Sequence, residues 1–357
     1  MTFADRLRRI REVLTAQNWD ALLVSQPENR RYLSGFTGSA GHLLITSEHA
    51  LLLTDFRYIE QAGRQASGFE VIQINGEFHS CLPGLAADHT LRTVAFESAH
   101  VSVAEFEKWR AALPDVNWAP SAGLVENLRM VKDEAELAAI RRAVALTDEA
   151  FAHIASFMRS GVAEREVAWE IECYMRTHGA AKVAFDLIVA SGANGAMPHA
   201  TASSRAIRAG EPVIIDIGAV VDGYHSDMTR TVSLIRVPRR LLQVYKVVLQ
   251  AQQAAEAALR PGMTGREADQ VAREIISAAG FGPNFGHSLG HGVGLAVHEG
   301  PRLSRLSDDV LQPGMVVTVE PGIYLPGWGG VRIEDLVIIT SDGCEVLTQS
   351  RRDLRLV

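Results

Sequence analysis

The residues best suited to chemistry in this chain are acids set into apolar, strand-like runs. Asp216 follows Val213-Ile214-Ile215, and Asp227 follows Tyr224-His225-Ser226, with Asp222-Gly223 between the two runs. Asp-Gly between apolar runs is the strongest short hairpin signal. With those two residues as the turn, Val221 opposes Tyr224 and position 216 opposes 229, so Asp227 becomes the diagonal, same-face neighbour of Asp216. Two ionised carboxylates brought together in this way repel and lose hydration, and a divalent cation between them reverses that cost. The competing reading is an exposed hairpin face on which both acids sit in water, and the pair alone does not separate the two.

Further donors favour the cation. His287, His291 and His298 fall in one glycine-punctuated stretch, Gly286 to Pro301, and supply neutral imidazoles near pH 7. Glycines at 290, 292 and 294 predict close backbone approach to a ligand. Their spacing does not fit the G-x-G-x-x-G of a dinucleotide loop. Glu320 ends the run Met315-Val316-Val317-Thr318-Val319, and Glu334 ends Gly330-Val331-Arg332-Ile333, with the turn formers Pro326-Gly327 and Gly329-Gly330 between them. Alternation puts Arg332 and Glu334 on one strand face, where the arginine orients a carboxylate from behind. Four carboxylates and one imidazole (Asp216, Asp227, His291, Glu320, Glu334) suit two borderline-hard divalent ions such as manganese or cobalt.

The elements that must position these groups are those of a two-domain protein. A chain of 357 residues has room for two cores, and 47% hydrophobic with 22% charged residues is ordinary for a globular fold. Up to about residue 120, a helix at Phe3–Gln17 and apolar runs at Ala21–Val24, Leu43–Thr46, Ala50–Leu53, Val71–Ile74 and Thr93–Phe96 predict a small α/β domain. Tyr32–Gly41 reads as a glycine-rich loop, and Pro114 and Pro120 read as the linker, which puts the domains at 1–123 and 124–357. The second opens on a capping box, Asp133 with Glu136, ahead of Leu137, Ile140 and Val144 at helical spacing. Further helices fit Glu164–Thr177, Arg240–Arg260 and Arg266–Ala279.

A net charge of -7 disfavours nucleic acid as a partner, and no apolar run is long enough to span a membrane. Cys81, Cys173 and Cys344 form no C-x-x-C pair and read as free thiols. Without a signal-like start, a cytoplasmic address is expected.

The quoted segments resemble metallopeptidase family M24, which contains aminopeptidase P, prolidase and, more distantly, methionine aminopeptidase. The resemblance covers most of the chain. It implies an α/β (α+β) architecture: a creatinase/prolidase-type N-terminal domain, then a pita-bread metallopeptidase domain. By resemblance Asp216 chelates one metal, Asp227 and Glu334 bridge both, and His291 with Glu320 completes the second. Manganese is the first expectation, with cobalt and zinc as alternatives. His199 and His298 are implied near the scissile peptide, Glu320 as a proton shuttle, His287 and Tyr324 beside the proline ring, and Arg332 behind the ligands. Arg57 is a candidate for the substrate carboxylate, against the alternative of a solvated surface arginine.

The implied activity is hydrolysis of the peptide bond before proline in a homodimeric enzyme. An Xaa-Pro aminopeptidase is the leading form and a dipeptide-restricted prolidase the alternative. Creatinase-like C–N hydrolysis, which runs without metal on this fold, and a silent binding module are disfavoured by the intact ligand set.

Overall fold

The computed structural model describes residues 1–355, in two compact units, Met1–Arg129 and Met130–Val357. Within the first, strands β1 (Ala21–Val24), β2 (His42–Thr46), β3 (Ala50–Thr54), β4 (Glu70–Gln73), β5 (Thr93–Glu97) and β6 (Asn117–Ser121) form one mixed sheet in the order β4-β3-β2-β1-β5-β6. Central β1, antiparallel to β2 and parallel to β5, is buried along its whole length. The uninterrupted apolar run Ala21-Leu22-Leu23-Val24 is what a strand covered on both faces requires. Helix α1 (Phe3–Gln17) begins at a capping box between Thr2 and Asp5.

Two expectations fail in this unit. Tyr32 and Leu33 are not loop residues: they are core residues of helix α2 (Pro27–Ser34), which starts on a proline and ends where Gly35 takes φ 78°. Proline at the first helical position was the overlooked signal, since its missing N–H has no partner to lose there. The stretch from Pro114 to Pro120 is not a linker either. Pro120 sits in β6 opposite Phe96. This is the sheet edge, where a strand tolerates a residue that cannot donate. Helices α3 (Ile59–Gln65), α4 (Leu82–Asp88), α5 (Val103–Ala112) and α6 (Leu124–Met130) complete the unit.

The second unit carries two helix pairs, each on an antiparallel sheet. Helices α7 (Glu134–Phe157) and α8 (Glu164–Thr177) pack through Phe151, Ile154, Val167 and Ile171 against Val213, Ile215 and Ile217. Those valines and isoleucines belong to the first of two three-stranded sheets, built from β7 (Lys182–Val183), β8 (Ile188–Ser191), β9 (Val213–Ile217), β10 (Ala219–Val221), β11 (Tyr224–His225) and β12 (Met228–Val232) in the orders β12-β9-β8 and β11-β10-β7. Helices α9 (Arg239–Ala258) and α10 (Gly265–Ala278) pack through Val244, Val248, Ala272 and Ile276 against Val317, Val319, Val337 and Ile339. Their sheet runs β14-β13-β15-β18-β19, from β13 (Gly290–Gly292), β14 (Glu299–Leu303), β15 (Val316–Val319), β18 (Asp335–Ile339) and β19 (Cys344–Val346); β16 (Gly322–Leu325) and β17 (Gly329–Arg332) form a separate hairpin.

In each half the same alternation applies. Ile215 and Ile217 face the helices, so Asp216 faces away; Val317 and Val319 face the helices, so Thr318 and then Glu320 face away. Burying one such aliphatic side chain is worth about 1.5–3 kcal/mol. The apolar faces therefore fix on which side of each strand the acids emerge. Among the described residues no helix is long and apolar enough to cross a membrane.

Candidate metal centre

The hairpin register is the one that Asp222-Gly223 predicts: Val221 pairs with Tyr224 and Asp216 with Thr229. Asp227 therefore lies diagonally beside Asp216. His291 comes from short β13, Glu320 from just beyond β15, and Glu334 from the link between β17 and β18. All five line one cavity of about 640 Å³. One ligand atom from each of Asp227, His291 and Glu334 lies within 4.8 Å of the others. His291 Nε2 stands 3.4 Å from Glu320 Oε1 and 3.6 Å from Asp227 Oδ2. Its Nδ1 lies 3.1 Å from the Gly292 carbonyl. A proton on Nδ1 makes that hydrogen bond and leaves the Nε2 lone pair facing the acids.

In this site the buried acids outnumber the one buried guanidinium, Arg332, that faces them. Burial first, then the Glu334 and Asp216 charges, raise the Asp227 carboxyl well above its ordinary value. Glu334 rises in the same way through burial, Glu320 and Asp216. Burial pushes Glu320 up to about 8. Burial and the nearby His298 lower His291 to about 4, so its imidazole is neutral at pH 7. Asp216 Oδ1 is buried without a hydrogen-bond partner among the described residues. Leaving such an acceptor unsatisfied costs about 1–3 kcal/mol. A divalent cation satisfies that oxygen and stabilises the ionised carboxylates together, so this donor set fits a metal of the manganese, cobalt or zinc type.

Around the acids stand groups that hold or face them. Arg332 places Nη2 2.5 Å from Asp216 Oδ2, Nη1 2.7 Å from the Tyr324 hydroxyl and Nε 3.0 Å from Thr229 Oγ1. Thr229 in turn donates to Glu334 Oε2 at 2.7 Å. Tyr324, almost wholly buried, donates its hydroxyl hydrogen bond to His287 Nε2 at 3.0 Å. His287 is lowered to about 4 by burial and by Arg332. His298 stacks edge-on to His291 with ring centroids 4.3 Å apart, and burial lowers it too. His199, on the loop between β8 and β9, lines the same cavity. Arg57 is exposed on the N-terminal unit, paired with Asp55 at 2.8 Å beside Glu60, Gln61, Arg64 and Gln65.

Two features escaped the sequence. The glycines flanking His291 do not make room for a ligand. A Cβ on Gly290 would lie 2.0 Å from the Thr318 carbonyl oxygen, and one on Gly292 2.0 Å from that of Gly300, so they let β13 sit between its neighbours. The second is Arg302, directly opposite His291 across β13 and β14, so both side chains leave one face. Its guanidinium is exposed, lines the cavity, and has no side-chain hydrogen bond among the described residues. The signal was the alternation Gly300-Pro301-Arg302-Leu303, which sends Leu303 into the core and residue 302 outward.

A two-unit α/β chain whose pita-bread half gathers acids and one imidazole on the face opposite its helices defines a metal-dependent hydrolase. Residues 138–341 match metallopeptidase family M24 and residues 6–131 match the creatinase/prolidase N-terminal domain, and the chain belongs to that family. It is similar to the Xaa-Pro dipeptidase from Bacillus anthracis (42% identity, 99% of each chain, TM-score 0.96). It is also 37% identical to an Xaa-Pro dipeptidase of Pyrococcus horikoshii, covering 98% of both, and resembles the X-Pro aminopeptidase from Thermotoga maritima (41% identity, 94% of this chain, 97% of that one, TM-score 0.88).

Proposed function

We propose that this metallopeptidase is an Xaa-Pro dipeptidase that holds two divalent cations, manganese first. Asp227 and Glu334 would be shared between the cations, Asp216 would serve one, and His291 with Glu320 the other. The unpartnered Asp216 Oδ1 and the clustered ligand atoms of Asp227, His291 and Glu334 support that assignment. When bound, such cations make water nucleophilic near neutral pH and stabilise negative charge. Glu320, ionised once a cation offsets the burial that otherwise keeps its carboxyl protonated, takes the proton of the attacking water and returns it to the leaving nitrogen. His298 and His199 donate to the carbonyl oxygen as it gains charge. The scissile nitrogen of an Xaa-Pro bond carries no hydrogen, so recognition falls to the ring, which packs against His287 and Tyr324.

The sequence favoured removal of one residue from longer peptides. Two of the three relatives named above are Xaa-Pro dipeptidases, and the observation that carries this reading here is Arg302. A dipeptide presents its free carboxylate one residue beyond the scissile bond. A guanidinium with no side-chain hydrogen bond among the described residues, beside His291 at the cavity wall, suits that charge. Arg332 cannot serve, because Asp216 and Tyr324 already engage it.

The test compares Ala-Pro with Arg-Pro-Pro in added manganese. Ala-Pro is the better substrate, and Arg302→Ala raises its KM about 10- to 100-fold, the worth of one charge-assisted hydrogen bond. Equal or faster cleavage of Arg-Pro-Pro, with Ala-Pro indifferent to Arg302→Ala, transfers the reading to an aminopeptidase such as the Thermotoga enzyme.

A further inference from the structure

We propose that Glu164, in the first turn of α8, is a positioning residue for His199, holding the neck of the loop that presents this histidine to the cavity. The inference rests on the reading of His199 as a donor to the developing oxyanion. The loop leaves β8 at Ser191 and returns through Ser203, with His199 between them and itself exposed. Its neighbour Ala200 is buried against Ile188 and Ala190, which anchors the backbone beside it. Glu164 is fully buried and its two oxygens take five hydrogen bonds, all from this one segment. Oε1 accepts from Ser191 N and Oγ, each at 2.7 Å. Oε2 accepts from Asn194 Nδ2 at 2.9 Å, Ser203 N at 3.1 Å and Ser203 Oγ at 2.6 Å.

The carboxylate thus ties the outgoing and returning strands of the loop to each other and to a helix. The backbone repeats the tie: Glu164 N donates to Arg205 O and Arg165 N to Ser203 O, each at 3.0 Å. Arg205 bonds Ser191 Oγ and grips Glu211 through two contacts of 2.6 Å. On the cavity side the loop meets Arg332, whose Nη1 lies 3.3 Å from the Pro198 carbonyl. His199 is therefore carried on a segment fastened from behind by Glu164 and from the front by the arginine that holds Asp216. Hydrogen bonds to an ionised acceptor are about twice as strong as neutral ones. Five of them converging on one loop make sense when the exposed side chain at its tip has to stay in register with the acids. A Gln at 164 keeps the shape but turns an NH2 toward donors that need an acceptor, so the neck loosens without a cavity being created.

The experiment uses the full chain loaded with manganese. Ala-Pro kinetics, manganese affinity by calorimetry and the unfolding midpoint are measured for Glu164→Gln and Ser203→Ala, each alone and combined with His199→Ala. The expected result is a kcat lower by about 10- to 100-fold for Glu164→Gln, the penalty for a misplaced group. Manganese affinity stays unchanged, and the kcat effect shrinks to within about twofold once His199 is gone. Ser203→Ala, which removes one donor and keeps the carboxylate, shows the same pattern at about 2- to 10-fold. An unchanged kcat, a loss of manganese, or an undiminished Glu164→Gln effect in the His199→Ala background overturns the proposal. Should Glu164→Gln fail to fold, Ser203→Ala decides alone. Unaltered turnover in His199→Ala by itself overturns the role of His199, and is read before any Glu164 variant is made.

Discussion

Removing the metal should make the stability of this protein fall as pH rises through neutrality, in a window that the buried groups define. Glu320 in the folded, metal-free chain titrates near 8, against 4.5 for an ordinary glutamate. The difference, 8 minus 4.5, is about 3.5 pH units, or about 5 kcal/mol at about 1.36 kcal/mol per unit. Because the folded value is raised, that stability is present below pH 4.5 and lost as pH climbs to 8. His287 and His291 act in the opposite sense. Their folded values are lowered to about 4 from 6.5, so their contribution is lost as pH falls and is constant above 6.5. Between pH 6.5 and 8 the acids therefore act alone, and Glu320 costs about 2 kcal/mol over those 1.5 units. Asp227 and Glu334 move in the same direction. For a unit of this size, with about 2–4 °C per kcal/mol, the unfolding midpoint in EDTA drops by about 4–8 °C or more. Glu256, also pushed to about 8 by burial and by Asp335, adds a fall that metal does not relieve. The measurement is therefore the difference between two thermal-denaturation series, with EDTA and with saturating manganese. Metal displaces the protons, so the gap widens with pH. A gap that is constant or narrows from pH 6.5 to 8 refutes the reasoning.

Two further variants probe individual side chains. His298→Ala should cut turnover by about 100-fold or more, as loss of a donor to the oxyanion does, while metal content by elemental analysis stays near that of the parent; loss of the metals instead would make His298 a ligand. Arg332→Leu should destabilise the fold by about 3–5 kcal/mol and weaken manganese binding in calorimetry, because Asp216 loses its buried partner and Thr229 and Tyr324 lose theirs; an unchanged midpoint and affinity would mean that the arginine does not orient Asp216.

Much of the centre was legible in one dimension because it obeys local rules. Asp222-Gly223 sets the register of its hairpin, so the diagonal relation of Asp216 and Asp227 follows from counting residues. The alternation of valines and isoleucines with acids fixes the strand faces, and the Asp133–Glu136 capping box opens α7 where expected. Local signals failed where their partner lay far away. Pro120 looked like a breaker because the sequence does not say that its strand is an edge. Gly290 and Gly292 looked like ligand space because the neighbours that crowd them, Thr318 and Gly300, come from other strands.

By itself the sequence determined which residue types could bind a cation and which strand face each occupies, because side-chain direction in a strand depends only on parity. Only the tertiary structure decided what those faces meet. It set Arg302 opposite His291, left Asp216 Oδ1 without a partner and joined Glu164 to both ends of the His199 loop. The physical reason is that the pairing of distant strands, and the desolvation that raises Asp227, Glu320 and Glu334, exist only once the two helix-backed sheets have closed over the same space.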